Sequence, residues 1–92
     1  MSMKSQEGEY KMDQRKREVL RHIGERVKHH RRELGYSREE VAKLLGITPR
    51  TLAAYERGER EMSMEMAVEL ARIFKTTLTK LTDYRNVMGM ML

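Results

Sequence analysis

Two short helical segments joined by three residues constrain this chain more than any other feature. Helical patterns over residues 38–45 and 49–57 flank the link Gly46-Ile47-Thr48. A link of this length is too short for the two helices to run antiparallel. They therefore have to cross at a steep angle, which is the geometry of a helix-turn-helix.

The positions that this crossing restricts all carry suitable residues. A small residue is needed where one helix passes over the other, and Ala42 provides it. Glycine tolerates the positive φ of the turn, and Gly46 stands there. Ile47 is apolar, as the residue that fills the angle between the helices must be. Four more apolar residues are predicted to fill the core beneath the crossing: Val41, Leu45, Leu52 and Tyr55.

Hydroxyl residues and glycines predict where the helices begin and end. Ser37 to Glu40 has the form of a capping box, which predicts the start of the second helix. Thr48, followed by Pro49 at the first helical position, predicts the start of the third. Two further caps and three glycine stops are predicted in the same way: Ser63 and Thr77, and Gly35, Gly46 and Gly58.

Apolar residues at helical spacing predict five helices around one core. The first helix is expected to begin between Asp13 and Arg17 and to reach Leu34, and no strand signal is present. The fold class is therefore all-α, a compact five-helix bundle that contains a helix-turn-helix. The predicted inward positions are Val19, Ile23, Val27 and Leu34; Val41, Ala42, Leu44 and Leu45; Leu52 and Tyr55; Met66, Ala67, Leu70, Ala71 and Phe74; and Leu78 and Leu81.

Ninety-two residues allow one small domain with tails. Residues 1–16 are expected to be a polar tail leading into the first helix. Residues 17–84 are expected to form the domain, with the helix-turn-helix at 38–57. Residues 85–92 form an apolar, methionine-rich tail, for which packing in a subunit interface and disorder are both open.

The composition argues against several classes of protein. Zero cysteines exclude a disulfide scaffold and thiolate chemistry, and no apolar run is long enough for a membrane span. We find no nucleophile–base pair and no phosphate-binding glycine loop, so an enzyme and a cofactor are not expected. The three histidines lack the carboxylate and cysteine neighbours of a metal site, so no metal is expected. The polar N-terminus and the absence of cysteine favour the cytoplasm.

Positive charge is concentrated in one part of the chain. The net charge is +5, and residues 15–35 contain eight basic residues against three acidic ones. Such a block is typical of a protein that contacts a polyanion such as nucleic acid. A solvated helix face is the alternative that charge alone leaves open.

Five segments of the chain together match a known pattern: Ile23–Val27, Arg31–Ser37, Glu40–Ile47, Tyr55–Gly58 and Leu70–Arg72. These segments resemble the DNA-binding domains of lambdoid phage repressors and Cro, the XRE family of bacterial regulators. The resemblance runs from about Ile23 to Leu81 and implies a five-helix fold whose third helix enters the major groove of DNA. Two residues depart from the pattern: His30, where the family usually has leucine, and Lys75, where it usually has glycine.

The resemblance implies roles for individual residues. Arg31 and Glu56 match a structural ion pair between the first and third helices. Arg50 is the one base-facing residue with a long donor, and a guanidinium fits the O6 and N7 atoms of guanine; a phosphate contact is its alternative role. The base-facing positions are Pro49, Arg50, Ala53 and Ala54, and the phosphate-facing positions are Arg38, Thr51, Arg57 and Arg60, of which Arg38 and Arg60 could instead be plainly solvated.

The implied function is that of a sequence-specific regulator of transcription that binds double-stranded DNA. Its simplest form is a homodimeric repressor on a near-palindromic operator, bacterial or phage-derived and associated with the nucleoid. The alternative is a protein-interaction module, such as an antitoxin or controller protein, whose main partner is a toxin or a polymerase subunit.

Overall fold

The computed structural model describes the backbone of residues 2–91 and the side chains of residues 14–90. All regular structure in this part of the chain is helical, which confirms the all-α prediction. Six helices are present where five were predicted. They are α1 (Ser2–Glu33), α2 (Arg38–Leu45), α3 (Pro49–Glu56), α4 (Met64–Ile73), α5 (Leu78–Thr82) and α6 (Tyr84–Met91).

Both ends of the chain differ from the prediction. α1 begins at Ser2, and Asp13, expected as a cap, lies inside it. The upstream residues are mostly good helix formers, so nothing in the sequence stops the helix there. Residues 84–91 form α6, which packs against α1 and α5 instead of leaving the domain as a tail. Val87 is only 8% exposed, so burial of this apolar segment explains the extra helix.

The helices between these ends begin where the capping residues predicted. Ser37 Oγ accepts a hydrogen bond from the Glu40 amide at 3.0 Å, and Glu40 Oε1 accepts one from the Ser37 amide at 2.8 Å. Gly46 ends α2 with a φ of 72°, which glycine adopts without strain. The other three caps make the same side-chain bond to a backbone amide: Thr48 to Thr51, Ser63 to Met66 and Thr77 to Lys80.

The core lies where α1, α2, α3, α4 and α5 meet. Two residues predicted to face the core are exposed instead: Leu34 is 52% exposed and Leu44 is 59% exposed. The helical turn places Leu44 beside the buried stripe of α2, which runs through Val41 and Ala42. None of the helices in the described part of the chain is long and apolar enough to cross a membrane. The largest fully buried side chains in the described part of the chain are Val27, Val41, Leu52, Leu70 and Leu81.

Candidate nucleic-acid interface

A buried ion pair joins α1 to the end of α3. Arg31 donates from Nε to Glu56 Oε2 at 2.6 Å and from Nη2 to Glu56 Oε1 at 3.2 Å. Their side chains are 8% and 1% exposed. Arg31 also donates from Nη1 to the Tyr36 carbonyl at 2.9 Å, so one guanidinium connects α1, the α1–α2 loop and α3.

Arg38 adds a second guanidinium to the same carboxylate. Its Nε donates to Glu56 Oε1 at 2.9 Å, and its side chain remains 38% exposed. Neither of the roles considered from the sequence, phosphate contact or plain solvation, includes this contact. The pair spans 18 residues, and no local pattern marks it. Glu56 therefore sets the position of a side chain at the start of α2.

Two glycines allow α1 to contact the backbone at the end of α3. A Cβ on Gly24 would overlap the Tyr55 carbonyl oxygen and would lie 2.5 Å from that of Glu56. Gly58 has a φ of 71°, and a Cβ there would lie 2.5 Å from the Cα atom of Arg21. The carboxyl end of α3 is thus fixed against α1. No local pattern in the sequence predicts this close approach at Gly24.

The opposite face of α3 points outward. Pro49 and Arg50 are exposed at its start, whereas Ala53 and Ala54 are half-buried on the following turn. Arg50 makes no hydrogen bond or ion pair with the residues that the structure describes. The first turn of α3 has no acidic residue, so the positive end of the helix is not neutralised there. These features suit an anionic partner.

The predicted phosphate-facing residues lie at both ends of α3 and differ in their surroundings. The Thr51 hydroxyl lies 3.0 Å from that of Thr48 and takes part in the cap of α3. Arg57 Nη2 lies 3.1 Å from Glu59 Oε1, and this hydrogen bond raises the pKa of Arg57. Arg60 is exposed in the α3–α4 loop. With Arg38, the structure therefore holds three cationic side chains around α3 that retain exposed surface.

The start of α2 is less favourable to an anion. Glu39 and Glu40 lie in its first turn, and both are exposed. Hydrogen bonds from the backbone and side chain of Ser37 lower the pKa of Glu40, which therefore stays charged. The first turn of α2 carries two carboxylates and that of α3 carries none, so α3 presents the stronger positive end.

The histidines have structural surroundings in this fold. His30 is half-buried, with Nδ1 2.9 Å from the Arg26 carbonyl and its ring stacked on Phe74. His22 Nε2 lies 2.8 Å from Asp83 Oδ2. Among the described residues, no group of three or more histidine, cysteine, aspartate or glutamate side chains is placed to hold a metal. Lys75 adopts a left-handed φ of 54° after α4, where glycine would be unstrained.

α2 and α3 pack against each other across a three-residue link, and α3 is held at its carboxyl end and exposed at its start. This arrangement defines a helix-turn-helix domain. A family model described as helix-turn-helix matches residues 27–81, and the chain belongs to this family. The match confirms the resemblance to XRE-type domains that the sequence motifs indicate.

Relatives of known sequence carry the same domain within longer chains. A protein of Thermococcus kodakarensis, provisionally named an HTH-type transcriptional regulatory protein, is 40% identical over 60 residues. A protein of the same name from Pyrococcus furiosus is 38% identical over 60 residues. Each alignment covers 65% of this chain and 19% of the relative, so the chain spans about a fifth of their length.

The fold is also similar to that of a protein of known structure, over most of that protein's length. The restriction-modification controller protein C.AhdI from Aeromonas hydrophila superimposes with a TM-score of 0.64 and 29% sequence identity. The superposition covers 67% of this chain and 94% of C.AhdI.

Proposed function

We propose that this protein binds double-stranded DNA through the outer face of α3 and regulates transcription. One observation carries the proposal: Arg50 is exposed and unpaired among the described residues, at the unneutralised positive end of a helix whose other end is fixed to the core. A rigid helix with such an end can be placed in a major groove. The names of the archaeal relatives, transcriptional regulatory proteins, support this function.

Base recognition depends mainly on Arg50. Its guanidinium can donate two parallel hydrogen bonds to the O6 and N7 atoms of guanine. Pro49, Ala53 and Ala54 offer no side-chain donor, so they contribute shape and contact with thymine methyl groups. Direct readout is then limited to few positions, and the sequence-dependent shape of the duplex supplies the rest of the specificity.

Phosphate contacts provide most of the affinity in this proposal. Arg57 and Arg60 flank the end of α3, and Thr51 lies in its first turn. Arg38 is held at the start of α2 by Glu56, which leaves its outer guanidinium nitrogens available to a phosphate oxygen. Because Glu56 already holds Arg38 in this position in the free protein, little of the side-chain entropy of Arg38 is lost on DNA binding.

A homodimer completes the proposal. One module of this size buries roughly 600–1,000 Å² on DNA, which gives weak binding. Two copies place their α3 helices in successive major grooves, about 34 Å apart, on a near-palindromic operator. A dimer bound over a promoter excludes polymerase, so repression is the simplest outcome.

Selection of bound duplexes from a random pool tests this function. We expect one enriched motif with two inverted half-sites whose centres lie about ten base pairs apart. Sedimentation of the protein on that duplex should show two copies per site. Recovery of duplexes with no shared motif would contradict sequence-specific regulation and would favour a protein as the main partner.

A further inference from the structure

α1 extends well beyond the part of the chain that the family model matches. A helix of 32 residues is about 48 Å long at 1.5 Å per residue. The longest dimension of the molecule is also 48 Å, against 27 and 19 Å in the other directions. The family match begins at residue 27, so most of α1 precedes it. Part of this extension packs against α5 and α6, which leaves its exposed surface without an assigned role.

Residues 16–21 of α1 lie beside the loop that follows α3. Lys16 Nζ lies 2.6 Å from Glu61 Oε2 in that loop. Gly58 contacts the α1 backbone at Leu20 and Arg21. The extension is therefore positioned next to Arg57 and Arg60, the two loop cations to which the proposed function assigns phosphate contacts.

The adjacent surface of α1 is strongly basic. Arg15, Arg17 and Arg21 are all exposed, and Glu18 is the one acidic residue between them. Arg17 and Arg21 are one helical turn apart and share a face. Lys16 is paired with Glu61, so it offsets the negative charge that the loop would otherwise present there. Positive charge therefore extends from Arg57 and Arg60, at the carboxyl end of α3, to the adjoining residues 15–21 of α1.

We propose that residues 15–21 of α1 bind the DNA backbone outside the half-site that α3 contacts; this inference rests on the proposed function. Charge complementarity identifies the partner, because exposed arginines without base-reading geometry suit phosphates. Residues 1–14 contain three acidic and two basic residues, so the contact ends near Arg15. Seven helical residues span about 10 Å, which corresponds to about three base pairs of flanking duplex.

The test compares two full-length variants that each remove two positive charges. Arg17→Gln/Arg21→Gln removes the proposed contacts, and Lys75→Gln/Arg85→Gln is the matched control, at exposed positions after α4 and in α6. Each is titrated on two probes: a duplex covering only the selected motif, and the same duplex with about ten arbitrary base pairs added at each end. Affinity is measured over about 50 to 200 mM salt.

We expect wild type to bind the extended duplex more tightly and with a steeper salt dependence than the short one. The α1 variant should lose this advantage, its salt slope on the extended duplex falling by about 2 per protomer. The control should behave as wild type. Unchanged slopes in the α1 variant, or an equal loss on both duplexes, would overturn the flanking contact while leaving DNA binding by α3 intact. If wild type binds neither duplex, the proposed function itself fails.

Discussion

Arg38 Nε donates to the buried Glu56 carboxylate at 2.9 Å, which ties a side chain on the outer surface to the core. The same carboxylate accepts two hydrogen bonds from Arg31. Glu56 thus has two functions in this fold: with Arg31 it joins α3 to α1, and with Arg38 it orients a cation at the start of α2. The two functions can be separated by mutation.

Glu56→Ala should destabilise the fold strongly. It leaves the buried guanidinium of Arg31 without its carboxylate, and breaking a buried pair from one side costs about 3–5 kcal/mol. Thermal and urea unfolding measure the loss in free energy of unfolding. Glu59→Ala is the control, because the pair of Glu59 with Arg57 is exposed and screened by solvent, so its loss should change the free energy of unfolding little. Equal losses in the two variants would show that the buried pair has no special structural role.

Arg38→Gln should reduce DNA affinity with little change in stability. Glu56 keeps both hydrogen bonds from Arg31 in this variant, so the core pair survives. The loss of one phosphate contact lowers the magnitude of the salt slope by about 1 per protomer and weakens binding to all sequences alike. Salt-dependent titrations, with Arg72→Gln on α4 as the control, measure the effect. A wild-type slope in Arg38→Gln would contradict the phosphate role.

Gly24→Ala should disrupt the packing of α1 against α3. Its Cβ would meet two backbone carbonyl oxygens, which cannot rotate away as a side chain could. We expect a loss of about 3 kcal/mol, the upper part of the usual range for overpacking. Gly89→Ala in α6 meets open space and should instead stabilise its helix by about 0.5–1 kcal/mol. Urea denaturation compares the two, and a neutral Gly24→Ala would refute the close contact.

Stability should fall in acid partly through Asp83. Hydrogen bonds from Asn86 and His22 lower the pKa of Asp83 below its ordinary value of 3.8. The unfolded chain therefore binds the proton more readily, so this contribution is present above the unfolded pKa and is lost as the pH falls through the folded pKa. Asparagine suits the left-handed φ of 56° at this position. The Asp83→Asn variant should therefore lose less of its free energy of unfolding than wild type does below about pH 4. Equal acid sensitivity in wild type and variant would exclude this contribution.

Local signals in the sequence predicted the middle of the fold well, since caps and turns depend on neighbouring residues. The Ser37 box, the Thr48 cap and the left-handed Gly46 all form as predicted. Apolar periodicity was less reliable, because it does not say how far a buried stripe extends around a helix. Leu44 is apolar and helical yet exposed for this reason.

Contacts between distant residues could not be read from the sequence in the same way. Arg38 and Glu56 meet only because the helices cross, and Gly24 is needed only because α1 lies on the end of α3. The sixth helix, in which Val87 is buried, packs against α1, far away in the chain, as well as against the neighbouring α5. The Arg31–Glu56 pair was expected because a family resemblance supplied the tertiary contact.

Base recognition by Arg50 on the outer face of α3 can be tested by pairing a mutation in the protein with a base change in the DNA. Wild type and Arg50→Ala are titrated on the selected duplex and on one whose guanine in each half-site is replaced. We expect wild type to prefer guanine by about 10- to 100-fold per half-site, and Arg50→Ala to lose this preference at unchanged thermal stability. An undiminished preference for guanine in Arg50→Ala would contradict base recognition by Arg50.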